Sequence, residues 1–113
     1  MISAILYREG ERYTGFRASG HSGYAEAGSD IVCAAVSILS CTCVNSLESL
    51  LGVTPRINEY ADGLLDFELP EVPAEKEDGV QLLMGSLKQG LGDLQEGYPQ
   101  YIRLDIKGRR KER

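Results

Sequence analysis

The chain is poor in metal-binding residue types: its 113 residues include one histidine and three cysteines. A structural zinc site takes four histidine or cysteine ligands, usually as closely spaced pairs. No C-x-x-C pair is present, and Cys41 and Cys43, two positions apart in a predicted helix, point to nearly opposite faces. We therefore expect no metal, no cofactor and no redox disulfide, and we interpret Cys41 and Cys43 as packing residues.

Long apolar runs are also missing. No uninterrupted run approaches the roughly 20 residues needed to cross a bilayer. The start, "MISAILYREGER", has no basic region before its apolar run and no small-residue cleavage site after it, so we expect no signal peptide and no membrane partner. Three cysteines without an export signal indicate free thiols in the cytoplasm.

The charge is unevenly distributed along the chain. The net charge is −5, yet the last seven residues, "KGRRKER", are mostly basic. A basic tail can contact the phosphates of RNA, but a solvated chain end is the favoured interpretation. We assign residues 1–107 to a single domain and residues 108–113 to a basic C-terminal tail.

Hydrophobic periodicity predicts five strands and two helices. "ISAILY" and "RYTGFRASG" flank a turn at Gly10, and "TPRINEYADGLLDFEL" has the pattern of a second hairpin that turns at residues 61–63. Apolar steps of three or four predict a helix over 30–51, whose first half should be deeply buried, and a second around Val80 to Leu94. "YIRLDIK" alternates as a last strand. The expected fold is α+β: a mixed sheet of about five strands in ββαββαβ order, covered by two amphipathic helices.

Residues 20–37, "GHSGYAEAGSDIVCAAVS", contain the only histidine and the first cysteine. Ser29 is the predicted N-cap of the long helix, and the charge of Asp30 supports the same helix end. Cys33 then lies in the first turn, where the positive helix end favours a thiolate. His21 follows the second strand, so it could exchange a proton with Cys33 as the base and acid of a catalytic dyad. An inert core thiol and a surface histidine fit the same spacing.

The connection between His21 and the helix is rich in glycine. Gly20, Gly23 and Gly28 allow it to bend, and with Ser22 and Tyr24 they form a predicted substrate-binding loop that could close over a substrate. Backbone N–H groups near residues 28–31 are candidate donors to an oxyanion. The alternative is a flexible connection whose tyrosine lies on the surface.

The same stretch resembles the signature of the ribosomal-processing cysteine protease (Prp) family. The G-H pair, the eight residues that follow, and D-x-x-C-A-A-V-S match that signature in order and spacing. The resemblance extends over nearly the whole chain except the basic tail, and it includes the order of the helices and strands.

The resemblance implies an activity and a set of roles. Members of the family remove a short N-terminal extension from large-subunit ribosomal protein twenty-seven and form homodimers. The family's catalytic cysteine falls on Cys33 and its histidine on His21. Asp30 would support the helix start or orient His21, and Ser37 matches a family position, although a buried hydroxyl bonded to the backbone is an equal reading of Ser37.

Two other functions stay open at this stage. The first is a non-catalytic ribosome- or RNA-associated binding module that uses the basic tail. The second is an acyl hydrolase that applies the same dyad to small thioesters.

Overall fold

The structure, a computed structural model, describes residues 1–109. Its strands and helices run in the predicted order: β1 (Ile2–Glu9), β2 (Arg12–Ser19), α1 (Ile31–Leu51), β3 (Arg56–Ala61), β4 (Leu64–Glu68), α2 (Ala74–Gly97) and β5 (Ile102–Gly108). The five strands form one sheet in the order β3-β4-β2-β1-β5, in which only the β1–β5 pair is parallel. The predicted α+β fold is confirmed.

Local signals account for the turns and for the end of α1. Gly10 turns the chain between β1 and β2 with a φ of 62°. Gly52 ends α1 with a φ of 66°, and its N–H donates to the Glu48 carbonyl at 2.9 Å. The Gly52 bond is that of an αL C-cap, and the Val53 N–H donates in addition to the Leu47 carbonyl at 2.9 Å.

The start of α1 corrects one prediction. Asp30, not Ser29, is the N-cap, because its carboxylate accepts hydrogen bonds from the N–H groups of Val32 and Cys33. Ser29 lies one residue too early for this role, and its own N–H donates to the Glu26 carbonyl. Both residue types are good caps, so the path of the preceding loop decides between them.

The core lies between one face of the sheet and the two helices. Phe16 of β2 and Phe67 of β4 are adjacent in register, and their ring centroids are 5.7 Å apart. The buried apolar residues come from all elements except β3. They are Ile2, Ala4, Leu6, Phe16, Ala18, Val32, Val36, Cys43, Leu47, Val53, Phe67, Val80, Met84, Leu87, Leu91 and Ile102.

The predicted deep burial of the first half of α1 is wrong. Only one stripe of the helix is buried, and Ile31 and Ile38 are 52% and 65% exposed. The reason is geometric: α1 packs on the sheet with one side and on α2 with another, so a third side faces outward.

Helix α1 is also long and apolar enough to cross a membrane, with 21 residues and a mean hydropathy of 1.7. No uninterrupted apolar run has that length, because small polar residues such as Ser37 and Ser40 interrupt it. Core helices of folded domains pass the same test, and the buried stripe of α1 packs in the core.

Strand pairing brings the elements around the candidate site together at one end of the strands. Ser19, the last residue of β2, pairs with Ser3 of β1 and with Leu64 of β4. Ile2 of β1 in turn pairs with Ile102 of β5. The exit from β2 therefore lies at the same end of the sheet as the β3–β4 turn and the beginnings of β1 and β5. The hydrogen bond from the Ser22 N–H to Cys33 Sγ brings the first turn of α1 to this end.

Candidate active site

A groove of about 400 Å³ lies between α1 and the β3–β4 end of the sheet. Cys33, Ser37 and Cys41 line its helical side at intervals of four residues, so they occupy one face of α1. His21 lines the same groove. Its lining consists of Ile2, Ala18, Ser19, Gly20, His21, Cys33, Val36, Ser37, Ser40, Cys41, Tyr60, Ala61, Asp62, Gly63, Leu64 and Leu65. The fold thus brings the two predicted catalytic residues to one surface.

Cys33 is half-buried and lines this groove. The Ser22 N–H donates a hydrogen bond to Sγ across 3.4 Å. A donor in this position can stabilise negative charge that develops on the sulfur during a reaction. Within residues 1–109 no hydrogen bond joins the His21 imidazole to this sulfur; in enzymes without bound substrate such contacts are often long and tighten on binding.

His21 is exposed and is separated from β2 by Gly20 alone. The N–H of Gly20 donates to the Gly63 carbonyl at 2.8 Å, which ties the end of β2 to the β3–β4 turn. The imidazole lies over Gly63: a Cβ added there would be 2.7 Å from Nε2. The turn therefore limits where the ring can go.

Asp30 connects the loop to the start of α1. Its Oδ1 accepts from the N–H groups of Val32 and Cys33, each at 3.0 Å. Its Oδ2 accepts from the Ser22 hydroxyl and from the Ala25 N–H, the latter at 3.2 Å. These contacts match the first predicted role, support of the helix start, and the described residues include no hydrogen bond from Asp30 to the imidazole.

The electrostatics of Asp30 follow from these bonds. Burial alone would raise the pKa of the carboxyl, but the hydrogen bonds from Ser22, Cys33, Ala25 and Val32 outweigh it and hold the pKa well below its usual range. The group is a carboxylate at neutral pH. Its negative charge offsets part of the positive charge at the start of α1, next to Cys33. The direct hydrogen-bond donor to the Cys33 sulfur is the Ser22 N–H.

The predicted loop is held at two points. Ser22 is buried, and its hydroxyl accepts from the Tyr24 N–H at 3.1 Å. The Tyr24 ring packs edge-on against Tyr98 and Tyr101, with centroid distances of 5.6 Å and 5.1 Å. Tyr24 is 42% exposed and is not among the residues that line the groove.

The other predicted loop residues divide into two groups. Gly20 lines the groove. Gly23, Gly28 and Ser29 are exposed and lie outside its lining, and the two glycines have φ values of 75° and 88°. Of the expected oxyanion donors, the Ser29 N–H is already used by Glu26.

Comparison with known proteins decides the family. The family model described as Cysteine protease Prp matches residues 1–103. The chain belongs to the Prp family of cysteine proteases. The ribosomal processing cysteine protease Prp of Bacillus subtilis is 31% identical over 107 residues, which cover 92% of this chain and 96% of that protein. The Prp of Staphylococcus aureus strain Mu50 is 34% identical over 88 residues, which cover 78% and 81%. The resemblance found in the sequence is confirmed.

Solved structures show the same fold. The essential ribosomal processing protease Prp of S. aureus, in complex with a covalently linked product peptide, superimposes with a TM-score of 0.84 at 28% identity. That match covers 95% of this chain and 100% of the other. A Streptococcus mutans protein superimposes with a TM-score of 0.80 at 33% identity and covers 96% of both chains.

Several groove residues have no signal in the sequence. Tyr60, Asp62, Gly63 and Leu65 lie in the β3–β4 hairpin, which the sequence predicts without indicating what it packs against. Asp62 is the one acidic residue in the lining. Only the pairing of β4 with β2 places this hairpin beside His21.

Of Ser37, Cys41 and Cys43, the first two line the groove and the third is buried in the core. Ser37 is exposed in the groove, so the reading of it as a buried hydroxyl is wrong. Cys41 is half-buried and lines the groove two helical turns from Cys33. Cys43 is buried against α2, with its sulfur 3.9 Å from the Met84 sulfur, and burial raises its pKa to about 11. The basic tail, for which RNA contact was left open, falls largely on residues 110–113, outside the described residues.

Proposed function

We propose that this protein is an endopeptidase that removes the N-terminal extension of large-subunit ribosomal protein twenty-seven, with Cys33 as nucleophile and His21 as base and acid. One observation carries the proposal: in a member of the Prp family, the only histidine and a half-buried cysteine line one open groove. The relatives' name, ribosomal processing protease, supports the substrate class. A relative solved with a covalently linked product peptide supports a covalent step.

The groove suits an extended peptide. From Cys33 to Cys41 the helix rises about 12 Å, at 1.5 Å per residue. An extended chain advances roughly 3.3 Å per residue, so this length holds three to four residues of substrate. Ala18, Val36 and Leu65 supply apolar contacts along it, and Asp62 supplies the single acidic one.

In the proposed acylation, the His21 imidazole accepts the thiol proton, and Cys33 Sγ attacks the scissile carbonyl carbon. The carbonyl electrons move to oxygen and form a tetrahedral intermediate. When they return, the C–N bond breaks, and His21 donates its proton to the leaving amine. The products of this half are a thioester on Cys33 and the shortened ribosomal protein with a new N-terminus.

Deacylation runs through the same groups. His21 takes a proton from water, the hydroxide attacks the thioester carbonyl, and the C–S bond breaks. The proton returns to sulfur, which regenerates the thiol and releases the extension as a carboxylic acid. Asp30 stays outside the proton transfers and holds Ser22, whose N–H contacts the sulfur.

The test is to incubate the protein with the unprocessed ribosomal protein of its own organism and to read the products by mass. Wild type should yield two fragments, and Cys33→Ala should lower the rate by about 10⁴-fold or more, as loss of a covalent nucleophile does. Cys41→Ala, which removes the other thiol of the groove, should retain turnover. Cleavage that persists in Cys33→Ala would refute the assignment. A small thioester turned over in place of the protein would favour the acyl hydrolase.

The proposal includes a cytoplasmic homodimer. Three unpaired thiols suit a reducing compartment. The outward side of α1 carries Ile31, Ala34 and Ile38, and a groove beside Ile38 and Leu83 separates α1 from α2. An exposed apolar helix face is typical of a two-fold interface. Sedimentation should give twice the monomer mass for wild type and the monomer mass for Ile38→Lys.

A further inference from the structure

Gly63, in the β3–β4 turn, is shaped around His21. Its φ is 72°, and its carbonyl accepts the Gly20 N–H at 2.8 Å. A Cβ at this position would lie 2.7 Å from His21 Nε2 and 2.9 Å from Cε1. Real Cβ atoms essentially never approach a heavy atom so closely. A methyl group at Gly63 would therefore fit only if the imidazole, an exposed side chain, moved away.

The backbone conformation of the turn does not by itself require glycine at position 63. A positive φ at Gly63 would also accept asparagine, which tolerates the left-handed region. Gly10, in the β1–β2 turn, has nearly the same φ of 62°, and a Cβ there would meet nothing within 4 Å. The two hairpin glycines differ in what lies above them, and at Gly63 that is the only imidazole in the chain.

We propose that Gly63 is a positioning residue that sets the place of the His21 imidazole relative to Cys33; the inference rests on the proposed function, in which His21 carries the proton. The backbone bond from Gly20 fixes the distance between the turn and the end of β2. The bare Cα then gives the ring a flat surface at one end of the groove that Cys33 lines.

The expected consequence of a methyl group follows from the distances. An ordinary contact begins near 3.4 Å, so the ring would move by roughly 0.7 Å or more, because an exposed side chain yields before a paired backbone does. A misplacement of about 1 Å at a reacting group lowers the rate by roughly 100-fold. Gly63→Ala should therefore lower kcat by about 10- to 100-fold with little change in KM.

The matched pair is Gly63→Ala and Gly10→Ala, which add the same methyl group at the same backbone angle. Because the chain has one histidine, His21 gives a single set of imidazole signals in a ¹H–¹³C spectrum of histidine-labelled protein. Those signals should move in Gly63→Ala and stay in place in Gly10→Ala. The kcat of Gly10→Ala should stay within about twofold of wild type.

Imidazole signals and a kcat in Gly63→Ala that equal those of Gly10→Ala would overturn the inference. If Gly63→Ala does not fold, Gly63→Asn and Gly10→Asn replace the pair, since asparagine relieves the backbone strain but keeps the Cβ. If wild type cleaves no ribosomal protein, the proposed function fails, and the spectra alone still decide whether Gly63 positions the ring: moved signals support it and unmoved signals overturn it.

Discussion

Brief alkylation with iodoacetamide near neutral pH should separate the three thiols. Burial raises the pKa of Cys43 from its ordinary value of 9.0 to about 11. That difference lowers the thiolate fraction of Cys43 at neutral pH roughly 100-fold relative to an unburied thiol. Since the residue is only 6% exposed, limited access slows its reaction further. Cys43 should therefore react at least roughly 100-fold more slowly in the folded protein than after unfolding, and more slowly than Cys33, which lines the open groove.

Cys41 is the informative comparator. Both it and Cys33 are half-buried and line the same groove, but only Cys33 accepts the Ser22 N–H among the described contacts. A hydrogen bond contributes about 1 kcal/mol net, which corresponds to roughly a fivefold change in an equilibrium. We expect Cys33 to react at least about fivefold faster than Cys41.

The assay is a timed labelling reaction followed by peptide mapping. Chymotrypsin can cut after Leu39, which separates Cys33 from the other two thiols, and fragment ions then distinguish Cys41 from Cys43. Protein unfolded in urea is the control, in which all three should react alike. Equal labelling of Cys33 and Cys41 in the folded protein would contradict the argument from the Ser22 N–H. Rapid labelling of Cys43 would contradict its burial.

Further predictions concern two residues of the loop, Asp30 and Tyr24. Asp30→Asn should preserve the helix, because asparagine is an equally good N-cap. The variant would, however, point its amide NH₂ group at the Ala25 N–H, so kcat/KM should fall while the circular dichroism of the helices stays unchanged. Hydrogen bonds lower the folded-state pKa of Asp30, so its carboxylate stabilises the fold above about pH 4 and loses this effect as the pH falls toward the folded-state pKa. Urea melts from about pH 2 to 6 should therefore show a smaller loss of stability at low pH in Asp30→Asn than in wild type. Tyr24→Ala removes two edge-on ring contacts worth at least about 0.5 kcal/mol each. Hydrogen exchange should therefore show the loop opening at least about fivefold more often. An unchanged exchange rate would mean that the contacts with Tyr98 and Tyr101 do not hold the loop.

Much of the site could be predicted because its parts are close in the chain. His21 lies just after β2, and Cys33 lies in the first turn of α1 after a short glycine-rich loop, so the connectivity of the chain keeps the two residues near each other. The N-cap was the local feature that the sequence assigned to the wrong residue. Ser29 and Asp30 are equally good caps by type, and the choice depended on which side chain reached the N–H groups of Val32 and Cys33.

The amino-acid pattern by itself determined the order of strands and helices, the turns at Gly10 and Gly63, and the placement of a histidine and a cysteine on either side of one short loop, because each of these depends on neighbours in the chain. Tertiary structure decided which surfaces meet: that Gly63 lies under the imidazole, that Tyr24 packs on Tyr98, and that α1 buries only one stripe. Those contacts follow from strand register and helix packing, which join distant segments. A local pattern carries no information about the partner on the other side of such a contact.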